Sequence, residues 1–225
     1  KLGTLMIFSA LICVLILSVN IYFQTGSFNN IYAIILIGIV GSLLAYFYTA
    51  EPIRLSARKG LGELTIFLTF GPLLTLGSLF AMSNSEVEIN FEALKMFLLL
   101  GIPLGLLTTN ILFINQYPDY NSDKESGKIN LVVLFGKKMS RWIYFLNLIL
   151  IFLLKYYFFD SFSKSFINFN SDAFYIILSL LTVYGFYIFR GLFKYFDSRN
   201  LVNYNIQTIY YQIVFCLALI IVFYL

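Results

Sequence analysis

The chain contains no histidine among its 225 residues. That single absence removes haem ligation by imidazole, His-ligated zinc and histidine general-base chemistry. Charge is scarce as well: Asp, Glu, Lys and Arg make up 12 % of the sequence and hydrophobic residues 60 %, whereas soluble domains carry about 25 % charged and about 45–50 % apolar residues. A water-soluble core has no use for so much apolar surface. Cysteine is limited to Cys13 and Cys216, both inside apolar runs. A thiol there behaves as a small buried hydrophobe, so no disulfide is expected.

What the sequence has in abundance is long apolar runs. Crossing a hydrocarbon core about 30 Å thick takes roughly 20 helical residues, and seven blocks reach that scale, at 5–23, 31–48, 62–82, 94–115, 142–159, 173–190 and 205–225. The first is followed by no small-residue cleavage pattern and by six further blocks, so it reads as a span and not as a signal peptide. The loops are mostly short. The expected fold is therefore all-α, a polytopic transmembrane helical bundle forming a single domain over residues 1–225.

The cations divide the loops into two sets. Lys1, then Arg54, Arg58 and Lys59, then Lys124, Lys128, Lys137, Lys138 and Arg141, then Arg190, Lys194 and Arg199 fall on one side of seven alternating crossings. Lys95, Lys155 and Lys164 fall on the other, among Glu86, Glu88, Glu92, Asp160 and Asp172. Lys and Arg are retained on the cytoplasmic side in short loops, so the basic side is expected to be cytoplasmic. The net charge of +4 is then a signal of topology. The expected partner is the lipid bilayer, and nucleic acid is not.

Polar chemistry concentrates in the two longest basic-side connections, 49–61 and 116–141. The opposite loops, 83–93 and 160–172, are Ser/Asn-rich and read as solvated turns. In the second basic-side connection Asn115, Asp119 and Asp123 are spaced i, i+4, i+8, which stacks them along one helical face. Two carboxylates one turn apart repel each other, so spacing alone gives the fold nothing; a bound divalent cation removes the objection. Mg²⁺ prefers such hard oxygen donors and bridges carboxylates to substrate phosphates, and Lys124 and Lys128 bring cationic charge suited to a diphosphate leaving group. The structural alternative is a polar loop whose Asp residues cap a short helix. Pro118 interrupts the face, so a kink or a new helix near Pro118 is expected.

In the first basic-side connection, Tyr48, Arg54 and Arg58 are candidates for contact with an anionic substrate group, although cytoplasmic loops are basic in any case. Glu63 opens a span, where a carboxylate is favourable whatever the function. Thr108, Thr109 and Asn110 form a polar step within the fourth span, suited to hydrogen bonding between helices. Most of the aromatic residues, 19 % of the chain, are expected to be structural, with Tyr and Trp at the membrane interfaces and Phe packing.

Taken together, Ile114-Asn115, Asp119, Asp123-Lys124, Gly127-Lys128 and Leu131-Val132-Val133, ending at Gly136, resemble the second aspartate motif of the UbiA superfamily of intramembrane aromatic prenyltransferases. Tyr48-Thr49, Pro52, Gly60-Leu61-Gly62-Glu63, Phe70-Gly71-Pro72 and Gly77 resemble the branch acting on 1,4-dihydroxy-2-naphthoate in menaquinone synthesis. The resemblance implies a nine-helix fold with two aspartate motifs on the cytoplasmic side of a bacterial inner membrane. It implies Mg²⁺ as cofactor, a polyprenyl diphosphate donor and an aromatic acceptor that loses its carboxyl to give demethylmenaquinone. Asp119 and Asp123 would hold metal, Asn115 would support it, and Lys124 and Lys128 would neutralise the departing diphosphate.

The family's first motif, Asn-Asp-x-x-Asp-x-x-x-Asp, is absent, the chain opens on Lys1, and seven spans stand where nine are expected. The corresponding expectation is an N-terminally truncated sequence, inactive by itself. Two other readings stay open at this point: a related enzyme acting on a different ring, such as 4-hydroxybenzoate or homogentisate, and a non-catalytic bundle whose acidic loop binds a cation.

Overall fold

In the computed structural model, residues 2–26, 28–82, 89–165 and 171–224 are described. The side chains at 2–4, 7, 25, 154–165, 171–174 and 222–224 are not. The charges expected at Lys1, Glu86 and Glu88 therefore lie outside the described residues, as do 83–88 and 166–170 of the two Ser/Asn-rich loops, and the side chains of Lys155, Asp160, Lys164 and Asp172 are not described. Everything regular among the described residues is helical, as the apolar blocks predict.

The helices are α1 (Leu2–Thr25), α2 (Asn29–Thr49), α3 (Leu61–Leu68), α4 (Leu74–Ala81), α5 (Phe91–Asn115), α6 (Tyr120–Glu125), α7 (Leu131–Ser165), α8 (Ser171–Tyr195) and α9 (Leu201–Tyr224). Five stretches among the described residues are long and apolar enough to cross a membrane: Asn29–Thr49, Leu61–Ala81, Phe91–Asn115, Tyr175–Tyr195 and Leu201–Ile221. Phe8–Gln24 is a shorter apolar helix, and the expected block 142–159 lies within α7. Leu15, Ile16, Leu36, Val183 and Ile220 are all exposed. Such rows would be an aggregation liability in water, but a bilayer solvates them. The protein is a polytopic membrane bundle.

α5 is the hub, packing against α3, α4, α7 and α9. Its N-terminus is capped by Asn90, whose side chain accepts from the Ala93 N–H at 2.9 Å, with Glu92 in the first turn; both satisfy the positive end of the helix. The main core surrounds its C-terminal half, where Phe113, Ile114, Tyr117, Val132, Tyr144, Ile188 and Leu192 are buried together. A smaller cluster of Ile21, Ile31 and Ile34 joins α1 to α2.

α3 and α4 form one crossing interrupted by a π-helical turn at Thr69–Leu73 that contains Pro72. Proline has no N–H to offer, and a bilayer supplies no water to carbonyls left open. Threonines take over locally: Thr75 Oγ1 donates to the Gly71 and Pro72 carbonyls, 3.2 Å each. At this level α5 comes so close that an added Cβ on Gly71 would lie 2.4 Å from the Gly101 carbonyl oxygen, and one on Gly105 2.4 Å from that of Phe67. Small residues that let backbones approach replace the hydrophobic drive that lipid does not provide.

Polar side chains join the helices inside the bundle. Asn147 donates to Asn110 Oδ1 at 2.8 Å, and Gln212 donates to Thr108 Oγ1 at 2.9 Å, while Thr109 bonds the Gly105 carbonyl of its own helix. The polar step in α5 thus joins α7 and α9. Asn147→Leu strands the buried Asn110 amide, and the unfolding transition in detergent is expected to drop by an amount corresponding to about 1 kcal/mol.

Candidate metal-diphosphate site

Where α5 ends at Asn115, Pro118 prevents simple continuation and the chain turns through 116–119 into α6. The expected break near Pro118 is present. Asp119 occupies the residue before α6 but makes no side-chain capping bond, so the helix-capping alternative finds no support there. Its carboxylate is exposed and, among the described residues, has neither an ion-pair nor a hydrogen-bond partner.

Asp123 lies one turn on, its N–H bonded to the Asp119 carbonyl at 2.8 Å, and its side chain turns inward. α6 ends in a Schellman turn: the Lys128 N–H reaches the Asp123 carbonyl at 2.8 Å and the Gly127 N–H reaches that of Lys124 at 3.2 Å, with Gly127 at φ +72°. That geometry requires the left-handed region, hence glycine. The reversal brings Lys128 Nζ to within 3.0 Å of Asp123 Oδ2. Asn130 then donates its Nδ2–H to the same oxygen at 2.7 Å while its Oδ1 accepts from the Val133 N–H at 2.9 Å. One asparagine therefore both caps α7 and holds Asp123. Asn130→Ala removes both bonds, and about 1–2 kcal/mol of stability is expected to go with them, readable as an earlier thermal transition.

The remaining members of the acidic pattern part company. Asn115 is exposed, and its Oδ1 accepts from Asn205 of α9 at 2.8 Å. Lys124 is exposed and unpaired among the described residues. No group of three acidic, cysteine or histidine side chains clusters among the described residues. What does fit Mg²⁺ is the chemistry of the donors: one uncommitted carboxylate on Asp119 before α6, a second on Asp123 within α6 and an amide oxygen on Asn115 at the end of α5, all hard oxygen ligands.

The first basic-side connection lies against this segment. The Ile129 N–H donates to the Ala57 carbonyl at 3.1 Å, and Glu51, Arg54, Arg58, Lys59, Gly127 and Ile129 line an open recess of about 530 Å³ between the two loops. Within it Arg54 lies 3.7 Å from Glu51, an exposed pair of small energetic weight. Arg58 is spent on its own loop, donating to the Ile53 and Pro52 carbonyls at 2.9 Å each. Tyr48 lines a different space, an apolar groove of about 590 Å³ between α2 and α3–α4 that extends from Tyr48 past Ile37, Phe70 and Leu73 to Ala81. Tyr48 and the two arginines, grouped by sequence proximity, therefore serve two neighbouring spaces.

Three participants escape a reading of spacing alone. Asn130 carries the ordinary signal of a polar residue ahead of an apolar run, but its second bond, to Asp123, has no signature. Glu63 is buried and accepts from Gln116 Nε2 and from the Leu131 N–H, each at 2.9 Å. Tyr117 is fully buried against Ser140 at 2.9 Å; burial pushes its phenol well above the ordinary range, so it is a neutral structural hydroxyl.

The comparisons with known proteins agree with this architecture. The family described as the UbiA prenyltransferase family matches residues 2–209. A UbiA prenyltransferase domain-containing protein 1 of Dictyostelium discoideum is 34 % identical over 108 residues, 48 % of this chain and 30 % of its own length. A 1,4-dihydroxy-2-naphthoate octaprenyltransferase of Bacillus subtilis is 32 % identical over 103 residues, 46 % of this chain and 30 % of its own. One of Escherichia coli is 34 % identical over 82 residues, 36 % and 24 % respectively. The chain covers 30 % or less of the length of each of these relatives. No solved structure matches it. The helical bundle, the aspartate segment at the end of α5 and a family match spanning most of the sequence together establish that the chain belongs to the UbiA prenyltransferase family.

Proposed function

We propose that the protein transfers a polyprenyl group from polyprenyl diphosphate to 1,4-dihydroxy-2-naphthoate, on the cytoplasmic face of a bacterial inner membrane. The observation that carries the reading is the oxygen-donor set Asn115, Asp119 and Asp123, running from the end of α5 into α6, in a segment bound by Ile129 to a loop bearing Arg54, Arg58 and Lys59. Similarity to two naphthoate octaprenyltransferases supports the choice of ring.

Asp119 and Asp123 would hold Mg²⁺, with Asn115 in support; such an ion would supply positive charge to offset that of the diphosphate leaving group. The chain's own residues bind and orient. Lys124 is free to meet the leaving diphosphate, and Lys128, held on Asp123, keeps positive charge beside it. Arg54 and Lys59 face the recess and draw anionic substrate groups toward it. The apolar groove beginning at Tyr48 suits a prenyl chain, whose transfer from water is favourable along its whole length.

The allylic C–O bond breaks with its electron pair leaving on diphosphate. The electron-rich ring carbon that bears the carboxyl supplies the pair for the new C–C bond. Loss of carbon dioxide returns a pair to the ring and restores aromaticity, so no outside oxidant is needed to reach the quinol form of demethylmenaquinone. The test is turnover by the product of the complete reading frame, with Mg²⁺ and polyprenyl diphosphate, offered naphthoate, 4-hydroxybenzoate and homogentisate in parallel. Naphthoate is expected to be prenylated at least ~100-fold faster than the other two, because a ring lacking the matched polar groups leaves its partners unpaired. Preference for either of the others overturns the acceptor assignment.

A further inference from the structure

Glu63 and Asp123 are the two charged side chains buried among the described residues, and Glu63 is the deeper, 3 % exposed against 8 %. Glu63 has no ion-pair partner among them, yet one of its oxygens, Oε1, accepts two long-range hydrogen bonds of 2.9 Å, from Gln116 Nε2 and from the Leu131 N–H. Gln116 is the first residue after α5 and Leu131 the first residue of α7. A single oxygen thus secures both ends of the segment that carries Asp119 and Asp123.

The burial of the charge is accounted for by where it lies. The first N–H groups of a helix have no partner within it, and negative charge is favourable at that end; Leu131 offers such a group. The hold reaches the aspartates through the adjacent residue, because Asn130 caps α7 and donates to Asp123 Oδ2. A residue chosen for packing alone explains none of this. Glu63 Oε2 and Gln116 Oε1 are both buried without a partner, a cost that an apolar side chain of similar size would avoid.

We infer that Glu63 is a positioning residue that fixes both ends of the Asp119–Asp123 segment by accepting hydrogen bonds, and that it touches neither metal nor diphosphate. The inference rests on the reading of that segment as the metal-diphosphate site. It separates cleanly from a direct role, because positioning needs an acceptor oxygen whereas metal binding or proton abstraction needs the carboxylate. Glutamine supplies the first and not the second.

The experiment compares full-length wild type, Glu63→Gln, Glu63→Ala and Gln116→Leu in detergent. Hydrogen–deuterium exchange over 116–131 is measured without ligand, and the midpoint of thermal stabilisation is measured with Mg²⁺ plus inorganic diphosphate. Glu63→Ala is expected to speed exchange over 116–131 and raise the Mg²⁺ midpoint, each by ~10-fold, while Glu63→Gln stays within ~3-fold of wild type on both. Gln116→Leu is expected to loosen the 116 end and leave the 131 end protected, and it decides the matter if Glu63→Ala does not fold. Glu63→Gln as damaging to the Mg²⁺ midpoint as Glu63→Ala, with exchange unchanged, overturns the inference in favour of a direct role. Unchanged exchange in Glu63→Ala, or in Gln116→Leu at the 116 end, overturns it outright. A wild type that does not respond to Mg²⁺ and diphosphate instead defeats the proposed function, and the exchange comparison still decides whether Glu63 holds the segment.

Discussion

Asp119→Ala and Asp123→Ala are each expected to lower Mg²⁺-dependent prenyl transfer by ~10³-fold or more, the scale on which an electrostatic contact to developing negative charge acts. The two variants should differ sharply in another respect. Asp119 is exposed and has no partner among the described residues, so its removal should leave the thermal transition where it was. Asp123 receives Lys128 and Asn130. Its truncation leaves a partly exposed ammonium and a buried amide without their acceptor, at about 1–3 kcal/mol. The measurements are turnover of naphthoate with polyprenyl diphosphate and unfolding in detergent, on the same preparations. Retained turnover in either variant refutes the metal assignment. Equal destabilisation by both would show that Asp119 has a structural partner after all.

The second large effect concerns the backbone contact at the centre of the bundle. A Cβ on Gly105 meets the Phe67 carbonyl oxygen at 2.4 Å, and one on Gly71 meets that of Gly101 at 2.4 Å. These obstacles are main chain on both sides and cannot swing away as a side-chain tip can. Overpacking in a well-filled interior costs about 1–3 kcal/mol and more where backbone must move, and here the shift would act on the interrupted crossing whose carbonyls Thr75 already serves. Gly105→Val is therefore expected to give little folded protein, seen as loss of the monodisperse peak in size-exclusion chromatography. Gly38→Val, whose added Cβ meets nothing within 4 Å, is expected to behave as wild type.

The two experiments probe features of very different legibility. The bundle can be read from composition and block length, because a membrane leaves a chain with few alternatives to helices. The aspartate segment is legible too, since an acidic cluster is conspicuous in a sequence with 12 % charge. The break at Pro118 follows from proline's missing donor. What stays hidden is whatever depends on two distant stretches meeting. Spacing places Asn115, Asp119 and Asp123 on one face, whereas the Schellman turn at Gly127 rotates the problem: Asp123 is drawn inward to Lys128 and Asn130, and Asn115 is engaged by Asn205 from 90 residues away. Arg58 looks like an anion ligand until its bonds to Pro52 and Ile53 are seen. Glu63 looks like a routine first-turn carboxylate because neither Gln116 nor the Leu131 N–H advertises in sequence what it will touch.

The same long-range contacts impose an order of assembly. Chains are made and inserted from the N-terminus, and transmembrane helices associate after they have formed. The glycine contact between the interrupted crossing and α5 needs nothing beyond residue 105, so it is available as soon as α5 is in the bilayer. The hydrogen bond from Leu131 to Glu63 must wait for the start of α7, and that from Asn205 to Asn115 for the last helix. The aspartate segment is thus secured only after the glycine contact, closed over a framework already in place, and a nascent chain whose α5 has entered the bilayer but whose α9 has not would hold a built scaffold and an unfinished mouth.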